Sequence, residues 1–165
     1  MNIDRIDSAA GRLFLVERSG LLCALGYEDH LEAFVVDLRR RFGDERLVPA
    51  ADPAGLSTRL RGYLAGDLHA LQGIAVEPGG TKFQQQVWAA LREIPPGQVT
   101  TYGDLARRLG RPKASRAVGA ACGRNPVSIA IPCHRVVGAS SGLTGYAGGI
   151  ERKRWLLAHE RALLT

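Results

Sequence analysis

Apolar positions in the first half of the chain follow two different periods. Short β-type runs at Leu13–Val16 and Leu21–Leu25 flank Arg18-Ser19-Gly20, a sequence typical of a hairpin turn. From His30 to Phe42 the apolar residues recur with helical spacing instead. The sequence also predicts a loop at Val48–Pro53, a helix at Leu56–Leu64 and a strand at Leu71–Val76. The pattern predicts a mixed α/β region.

Glu77-Pro78-Gly79-Gly80 interrupts these patterns and is the best candidate for a domain boundary. It divides the chain into an N-terminal domain at residues 1–80 and a second domain at residues 81–165. Directly after the boundary, Thr81 can cap a helix with a clear apolar stripe, which Pro95-Pro96-Gly97 ends abruptly.

The second half continues with two short helices, predicted at Tyr102–Leu109 and Lys113–Cys122, on either side of Gly110-Arg111-Pro112. Two short helices joined by a glycine-containing turn are typical of a helix-turn-helix. A short apolar segment at Val127–Ile131, a glycine-rich loop and a final helix at Glu151–Leu164 follow. This order of elements resembles a winged helix.

The composition is that of a soluble globular protein: 165 residues, 45% hydrophobic and 23% charged. No apolar run approaches the roughly 20 residues that a membrane span needs, and the N-terminus lacks the apolar centre of a signal peptide. We therefore expect a cytoplasmic protein, associated with the nucleoid if its source is prokaryotic. The three cysteines, Cys23, Cys122 and Cys133, form no CxxC pair, which favours free thiols in a reducing compartment.

The charge is divided unevenly between the two halves. Residues 1–80 hold 9 Lys/Arg against 12 Asp/Glu, a balance of −3, whereas residues 81–165 hold 13 against 4, a balance of +9. Such asymmetry is typical of a half that binds a polyanion, most simply nucleic acid, although a basic, solvated surface gives the same count.

Cys133 lies between Pro132 and His134, and a loop of small residues follows. A free thiol has a pKa of about 8.5, so a nucleophilic cysteine needs a base or a positive environment. Neighbours in a regular strand point to opposite faces, but Pro132 indicates a bend that could bring the thiol and imidazole together. An isolated cysteine is more often buried and inert, which is our interpretation of Cys23 and Cys122.

Several motifs of the second half occur in the order found in one protein family. The segment Asn125-Pro126…Ile131-Pro132-Cys133-His134-Arg135-Val136-Val137 is similar to the active-site signature of the O6-alkylguanine-DNA alkyltransferases (methylated-DNA–protein-cysteine methyltransferases). The other matching motifs are Phe83-Gln84-Gln85-Gln86-Val87-Trp88, Thr101-Tyr102-Gly103-Asp104-Leu105-Ala106, Arg116-Ala117-Val118-Gly119, Leu143-Thr144-Gly145-Tyr146-Ala147-Gly148-Gly149, and Lys153-Arg154-Trp155-Leu156-Leu157 with Glu160. The specific resemblance covers about residues 81–160, whereas residues 1–80 match only in size and α/β character.

The resemblance implies an α+β fold: a small N-terminal α/β domain of the ribonuclease-H-like type, then a mostly helical, winged-helix-like C-terminal domain with a helix-turn-helix. It implies a DNA repair protein that flips O6-alkylguanine out of duplex DNA and transfers the alkyl group irreversibly to its own cysteine. We expect a monomer that needs no cofactor. We also expect no metal, because the sequence offers no convincing set of zinc ligands.

The same resemblance implies roles for five residues in catalysis. Cys133 is the nucleophile, and His134 is the general base that acts through a water. Glu160 orients His134 and stabilises its charge. Asn125 matches the family's hinge asparagine, and Tyr102 matches a tyrosine that crowds the 3′ phosphate and can protonate the leaving guanine.

DNA binding and the substrate pocket are assigned in the same way. Arg116 matches the finger that fills the space left by the flipped base, on a helix whose small residues allow close approach to the minor groove: Ser115, Ala117 and Gly119. The pocket is assigned to Val136, Tyr146, Ala147, Arg135 and Ser128. Ser128 and Ala147 depart from the proline and serine of some relatives, which leaves the tolerated alkyl size open.

Two other functions stay open at this point. A winged-helix protein that only senses alkylated bases would bind DNA without a covalent product. A Cys-His-Glu hydrolase would turn over an acyl substrate, although such enzymes usually present their cysteine at a helix N-terminus. Activity on O4-alkylthymine, clustering along DNA and the role of residues 1–80 are also left open.

Overall fold

The computed structural model of the protein describes residues 1–140 and 142–162. The chain forms two compact units. The first comprises Met1–Gly79 together with Pro126–Ala130, and the second comprises Gly80–Asn125 together with the chain from Ile131 onward. Pro126–Ala130, which falls within the predicted second domain, therefore groups with the first unit.

A four-stranded sheet forms the framework of the first unit. Its strands are β1 (Asn2–Ile6), β2 (Leu13–Arg18), β3 (Leu21–Tyr27) and β4 (Val48–Pro49), in the order β3-β2-β1-β4. The two pairs β1–β2 and β2–β3 are antiparallel, and β1–β4 is parallel. Ser19 and Gly20, between β2 and β3, both have positive φ, as a tight two-residue hairpin turn requires. The predicted hairpin is confirmed.

Two helices belong to this unit, α1 (Leu31–Phe42) and α2 (Leu56–Leu64), and both were predicted. The ring of Phe34 in α1 packs against the ring of Phe14 in β2 in an edge-to-face arrangement, with ring centroids 5.0 Å apart. A buried apolar cluster lies under α1 and consists of Ile3, Phe14, Val16, Cys23, Ala24 and Leu38. Burial of these side chains stabilises the sheet against the helix.

Two strands of the sheet, β1 and β4, were not predicted from the sequence pattern. β1 buries only Ile3 and Ile6, which are three positions apart, so it lacks the alternation that is typical of a strand. Val48–Pro49, predicted as loop, becomes a strand because Val48 N–H donates to the Met1 carbonyl at 2.9 Å. Both strands depend on pairing partners rather than on their own apolar pattern.

The strand predicted at Leu71–Val76 is wrong except at its last residue. Gln72 N–H donates to the His69 carbonyl at 3.0 Å, and Gly73 has φ +75°, so this part is a turn. Only Val76 pairs with the sheet, in a single bridge to Leu22.

The second unit is mostly helical. Its helices are α3 (Lys82–Arg92), α4 (Tyr102–Arg108), α5 (Ser115–Gly123) and α6 (Ile150–His159). Two short parallel strands, β5 (Thr100–Thr101) and β6 (Val136–Val137), pair beside them. The predicted helix-turn-helix corresponds to α4 and α5, between which Gly110 has φ +71°.

Hydrogen bonds at the helix ends explain where three of these helices begin or end. Thr81 and Gln84 form a reciprocal capping box at the start of α3, and Thr101 caps α4. The predicted cap at Thr81 is confirmed. α6 ends at His159, and Glu160 is its C-cap. The prediction that this helix continues is wrong at residues 160–162, which are not helical, and the predicted end at Leu164 lies outside the described residues.

Residues 1–140 and 142–162 contain no helix that combines the length and the apolar character needed to cross a bilayer.

Candidate active site

The backbone changes direction twice as it reaches Cys133. Pro132 has φ −84° and ψ 63°, and the Cys133 N–H donates to the Ile131 carbonyl at 2.8 Å, closing a tight turn. A single 3-10 turn over Cys133–Arg135 follows before β6 begins. Because successive residues of a 3-10 helix are about 120° apart, Cys133 and His134 are not forced to opposite faces as in a strand.

The Cys133 thiol is buried, with 8% of the residue exposed. Its Sγ accepts a hydrogen bond from Asn125 Nδ2 at 3.2 Å, and the same nitrogen donates to the Ile131 carbonyl at 2.7 Å. Burial raises the pKa of the Cys133 thiol, while the Asn125 hydrogen bond and the positive charge of Lys153 oppose the rise. The resting group is a thiol that needs a base, and its thiolate has two stabilising neighbours.

His134 and Glu160 form a fully buried pair, with 2.8 Å between His134 Nε2 and Glu160 Oε1. His134 Nδ1 is also buried and makes no hydrogen bond with the described residues. Burial lowers the pKa of His134, although the Glu160 carboxylate opposes that shift. The imidazole is therefore neutral at pH 7, with Nε2–H donating to Glu160 and Nδ1 offering a basic lone pair.

Arg135 completes the surroundings of the Glu160 carboxylate. Its Nε donates to Oε2 at 2.9 Å, its Nη2 donates to Oε1 at 2.7 Å, and its Nη1 donates to the Ile94 carbonyl. Burial would raise the pKa of Glu160, but the hydrogen bonds and charges of His134 and Arg135 hold it well below its usual range. All three guanidinium nitrogens are therefore engaged by Glu160 and Ile94, and the assignment of Arg135 to the substrate pocket stays a prediction.

Lys153 belongs to the motif Lys153-Arg154-Trp155-Leu156-Leu157 and is a buried residue for which no role was predicted. None of its surface is exposed, and its ammonium donates to the Val136 carbonyl at 2.6 Å and to the Thr144 carbonyl at 2.8 Å. Among residues 1–140 and 142–162, no carboxylate pairs with it. Burial lowers the pKa of Lys153, and the nearby Cys133 sulfur opposes that shift. Its place beside Leu156 and Leu157, three and four positions on, was the available signal of burial.

Tyr102, at the first position of α4, reaches the loop before α6. Its hydroxyl donates to the Thr144 carbonyl at 3.4 Å, so Tyr102 and Lys153 converge on one acceptor. Burial raises the pKa of Tyr102, which keeps the hydroxyl protonated and able to donate. A Cβ built on Gly119 would lie 3.8 Å from the Tyr102 ring, so α5 passes close to this side chain.

The predicted DNA-contacting residues lie on or beside α5. Arg116 and Ala117 are exposed, and Ser115 and Gly119 are half-buried. Three further basic residues near the two ends of α5 are exposed as well: Arg111, Lys113 and Arg124. The structure therefore presents the small side chains and the positive charges of this region to solvent together.

The remaining pocket assignments fall at separate points of the chain. Val136 is buried in β6, while Tyr146 is half-buried and Ala147 exposed in the loop before α6. Ser128 lies in the segment of the first unit, where its N–H donates to the Leu25 carbonyl at 2.9 Å. The contacts of these residues do not by themselves define a pocket.

No cluster of three or more His, Cys, Asp or Glu side chains with suitable placement to hold a metal ion occurs within residues 1–140 and 142–162. The three cysteines are free and buried.

The fold and these side chains define a class of protein: an α+β chain in which a buried cysteine precedes a His–Glu pair and follows a helix-turn-helix. A family model described as "6-O-methylguanine DNA methyltransferase, DNA binding domain" matches residues 82–162. A methylated-DNA–protein-cysteine methyltransferase of Shigella flexneri is 48% identical over 165 residues, covering 98% of this chain and 96% of that protein. One from Salmonella typhimurium LT2 is 54% identical over 138 residues, covering 84% and 80%.

The fold is also shared with solved structures. The crystal structure of Mycobacterium tuberculosis OGT in complex with DNA superposes with a TM-score of 0.82 at 38% identity, covering 98% of this chain and 93% of that one. The chain belongs to the methylated-DNA–protein-cysteine methyltransferase family. The predicted family and the predicted α+β fold are confirmed.

Proposed function

We propose that this protein repairs duplex DNA by transferring an alkyl group from O6 of guanine to Cys133. The observation that carries the proposal is a buried thiol followed directly by the His134–Glu160 hydrogen bond, in a chain of this family. DNA binding and the reaction belong to the second unit, and residues 1–80 supply most of the first unit. The protein acts in the cytoplasm, where it contacts the nucleoid if its source is prokaryotic.

The reaction is a single displacement. His134 Nδ1 takes the Cys133 proton through a water, and the thiolate attacks the alkyl carbon. A carbon–sulfur bond forms while the bond from that carbon to O6 breaks, and its electron pair stays on guanine. Tyr102 donates a proton to the leaving guanine. The thioether product gives water no easy route back to the thiol, so each molecule reacts once.

Charges near the relay favour this proton transfer. The transfer creates a thiolate at Cys133 and an imidazolium at His134. Asn125 and Lys153 stabilise the thiolate, and the Glu160 carboxylate stabilises the imidazolium. Because these groups are already in place and buried, little reorganisation accompanies the reaction.

DNA binding is proposed for α4, α5 and the basic residues around them. The target base must leave the stack, which costs a few kcal/mol. Arg116, exposed on α5, fills the vacated space, and the half-buried Gly119 lets the helix approach the duplex closely. The positive balance of residues 81–165 adds phosphate contacts that do not depend on sequence.

A stoichiometric reaction tests the proposal. We expect one equivalent of protein to demethylate an O6-methylguanine duplex, with one added methylene on the Cys133 peptide after proteolysis and mass spectrometry. The peptides of Cys23 and Cys122 serve as internal controls, because burial raises the pKa of these thiols to about 11 and about 12. They are expected to stay unmodified.

Two outcomes of that experiment contradict the proposal. Binding of the duplex with no covalent product would favour a protein that only senses alkylated bases. Many turnovers per molecule would favour a Cys-His-Glu hydrolase. Hydrolysis of an acyl substrate, without methyl transfer from the duplex, would favour the same enzyme class. The same assay on an O4-methylthymine duplex measures whether the second lesion is also repaired.

Arg116→Ala is expected to slow repair in duplex DNA by roughly tenfold or more, because the finger offsets the cost of flipping the base. Its reaction with a free-base inhibitor is expected to stay near the wild-type rate, since no flipping is needed. Arg154→Ala, which removes an exposed arginine paired with Glu151 on α6, is the matched control. Equal losses on duplex and free base contradict the finger role.

A further inference from the structure

Arg135 connects three parts of the second unit around the Glu160 carboxylate. It lies in the 3-10 turn that contains Cys133, donates twice to Glu160 after α6, and donates once to Ile94 after α3. The backbone at Gly97 also lies close to the backbone of Glu160, because a Cβ on Gly97 would be 3.3 Å from the Glu160 carbonyl oxygen. The guanidinium is buried, with 8% of the side chain exposed, so water screens this ion pair little.

The Arg135 guanidinium and the His134 imidazole lie against the same carboxylate, that of Glu160. Glu160 Oε1 accepts a hydrogen bond from His134 Nε2 at 2.8 Å and another from Arg135 Nη2 at 2.7 Å. The same carboxylate oxygen therefore contacts both side chains. A bare carboxylate at that distance would strongly favour imidazolium over imidazole. An arginine fork on the carboxylate supplies a compensating positive charge, since a guanidinium stays protonated in proteins.

We propose that Arg135 is a positioning residue that keeps His134 neutral, and so able to accept the Cys133 proton, by balancing the charge of Glu160. The inference rests on the proposed function, because His134 is the base of that reaction. A resting imidazolium would have no lone pair for the thiol proton. With the Arg135 guanidinium on the carboxylate, Glu160 still stabilises the imidazolium that forms when His134 accepts the Cys133 proton. It does not protonate His134 before that transfer.

The groups that face His134 set the sign of the effect. Burial, Arg135 and Lys153 lower its pKa, and the Glu160 hydrogen bond and charge raise it. His134 therefore stays neutral at pH values below the ordinary histidine pKa. The acidic limb of the pH–rate profile is expected in the same low pH range. Removing the Arg135 charge leaves only burial and Lys153 to oppose the effect of Glu160 on the His134 pKa, so the acidic limb moves to higher pH.

The test compares single-turnover rates of methyl transfer from an O6-methylguanine duplex between about pH 5 and 9. We expect Arg135→Gln to move the acidic limb upward by about one pH unit or more, so that the deficit is large at neutral pH and shrinks at alkaline pH. Arg135→Lys restores the positive charge without the fork, and its limb is expected near that of wild type. Arg40→Gln, which removes an exposed arginine paired with Asp37 in the first unit, is the matched control.

Direct titration of His134 gives a readout that needs no alkyl transfer. The chain has four histidines, and the imidazole resonances of His134 can be assigned by comparison with His134→Gln. We expect those resonances to titrate at higher pH in Arg135→Gln than in wild type. Should Arg135→Gln not fold, Arg135→Met, which keeps the length of the buried stem, serves for both measurements.

The outcomes separate the two proposals. A rate reduced by the same factor at every pH, with His134 titrating as in wild type, means that Arg135 is only structural and overturns the inference. Failure of the wild-type protein to transfer the methyl group overturns the proposed function instead, and leaves the histidine titration to judge Arg135.

Discussion

Replacing Cys133 by alanine is expected to abolish methyl transfer, by at least about 1,000-fold, because removing a nucleophile leaves only the remaining groups of the site. Affinity for the O6-methylguanine duplex is expected to stay within about twofold of wild type, since the buried thiol carries no charge that phosphate could sense. Single-turnover kinetics and a filter-binding titration on one duplex measure both quantities.

Cys23→Ala is the matched control for this prediction. It removes an equally free and buried thiol, but one that lies in the sheet of the first unit. Its transfer rate is expected to equal that of wild type once the folded fraction is measured. Methyl recovered on Cys122 of the Cys133→Ala variant would contradict the assignment of a single acceptor.

Lys153→Met is expected to slow methyl transfer by about tenfold or more, since it removes a buried positive charge that favours the Cys133 thiolate. It also removes the donor that joins the Val136 and Thr144 carbonyls. Without the ammonium the pKa of Cys133 rises further, so the rate is expected to recover as the pH is raised. Rates across the alkaline range measure this shift.

Lys82→Met provides the comparison for Lys153→Met. Lys82 is exposed at the start of α3 and is expected to leave the rate unchanged. Thermal unfolding of both variants separates a loss of activity from a loss of fold. A Lys153→Met protein that unfolds as wild type does, and reacts at the wild-type rate, would show that its charge does not reach the sulfur.

Local patterns predicted the elements that depend on neighbouring residues. The hairpin of β2 and β3 has its turn residues in sequence between two apolar runs, and the cap of α3 uses Thr81 and Gln84 three residues apart. β4 could not be found in this way, because Val48 pairs with Asn2 from a distant part of the chain. β1 pairs along its length with β2, but it buries only Ile3 and Ile6 and so lacks the alternation of a strand. Long-range pairing leaves no local period to detect.

The candidate site divides along the same line. The resemblance supplied Cys133, His134 and Glu160, and the structure adds the contact between the last two. The ion pair of Arg135 with Glu160 was not predicted, because the two residues are 25 positions apart and nothing in the intervening sequence pairs them. A buried cation is understood only when the group that compensates it is known.

Because the short segment Pro126–Ala130 groups with the first unit, we expect that one cut near residue 80 does not give two working halves. Its carbonyl at Pro126 accepts from Leu25 at 3.0 Å, and its Ser128 N–H donates back to Leu25 at 2.9 Å. A fragment that began at Gly80 would carry this segment without the strand that pairs it, just before the turn that presents Cys133. Recombination that exchanged the two regions as independent modules would disturb the same pairing, so the regions are expected to be inherited together.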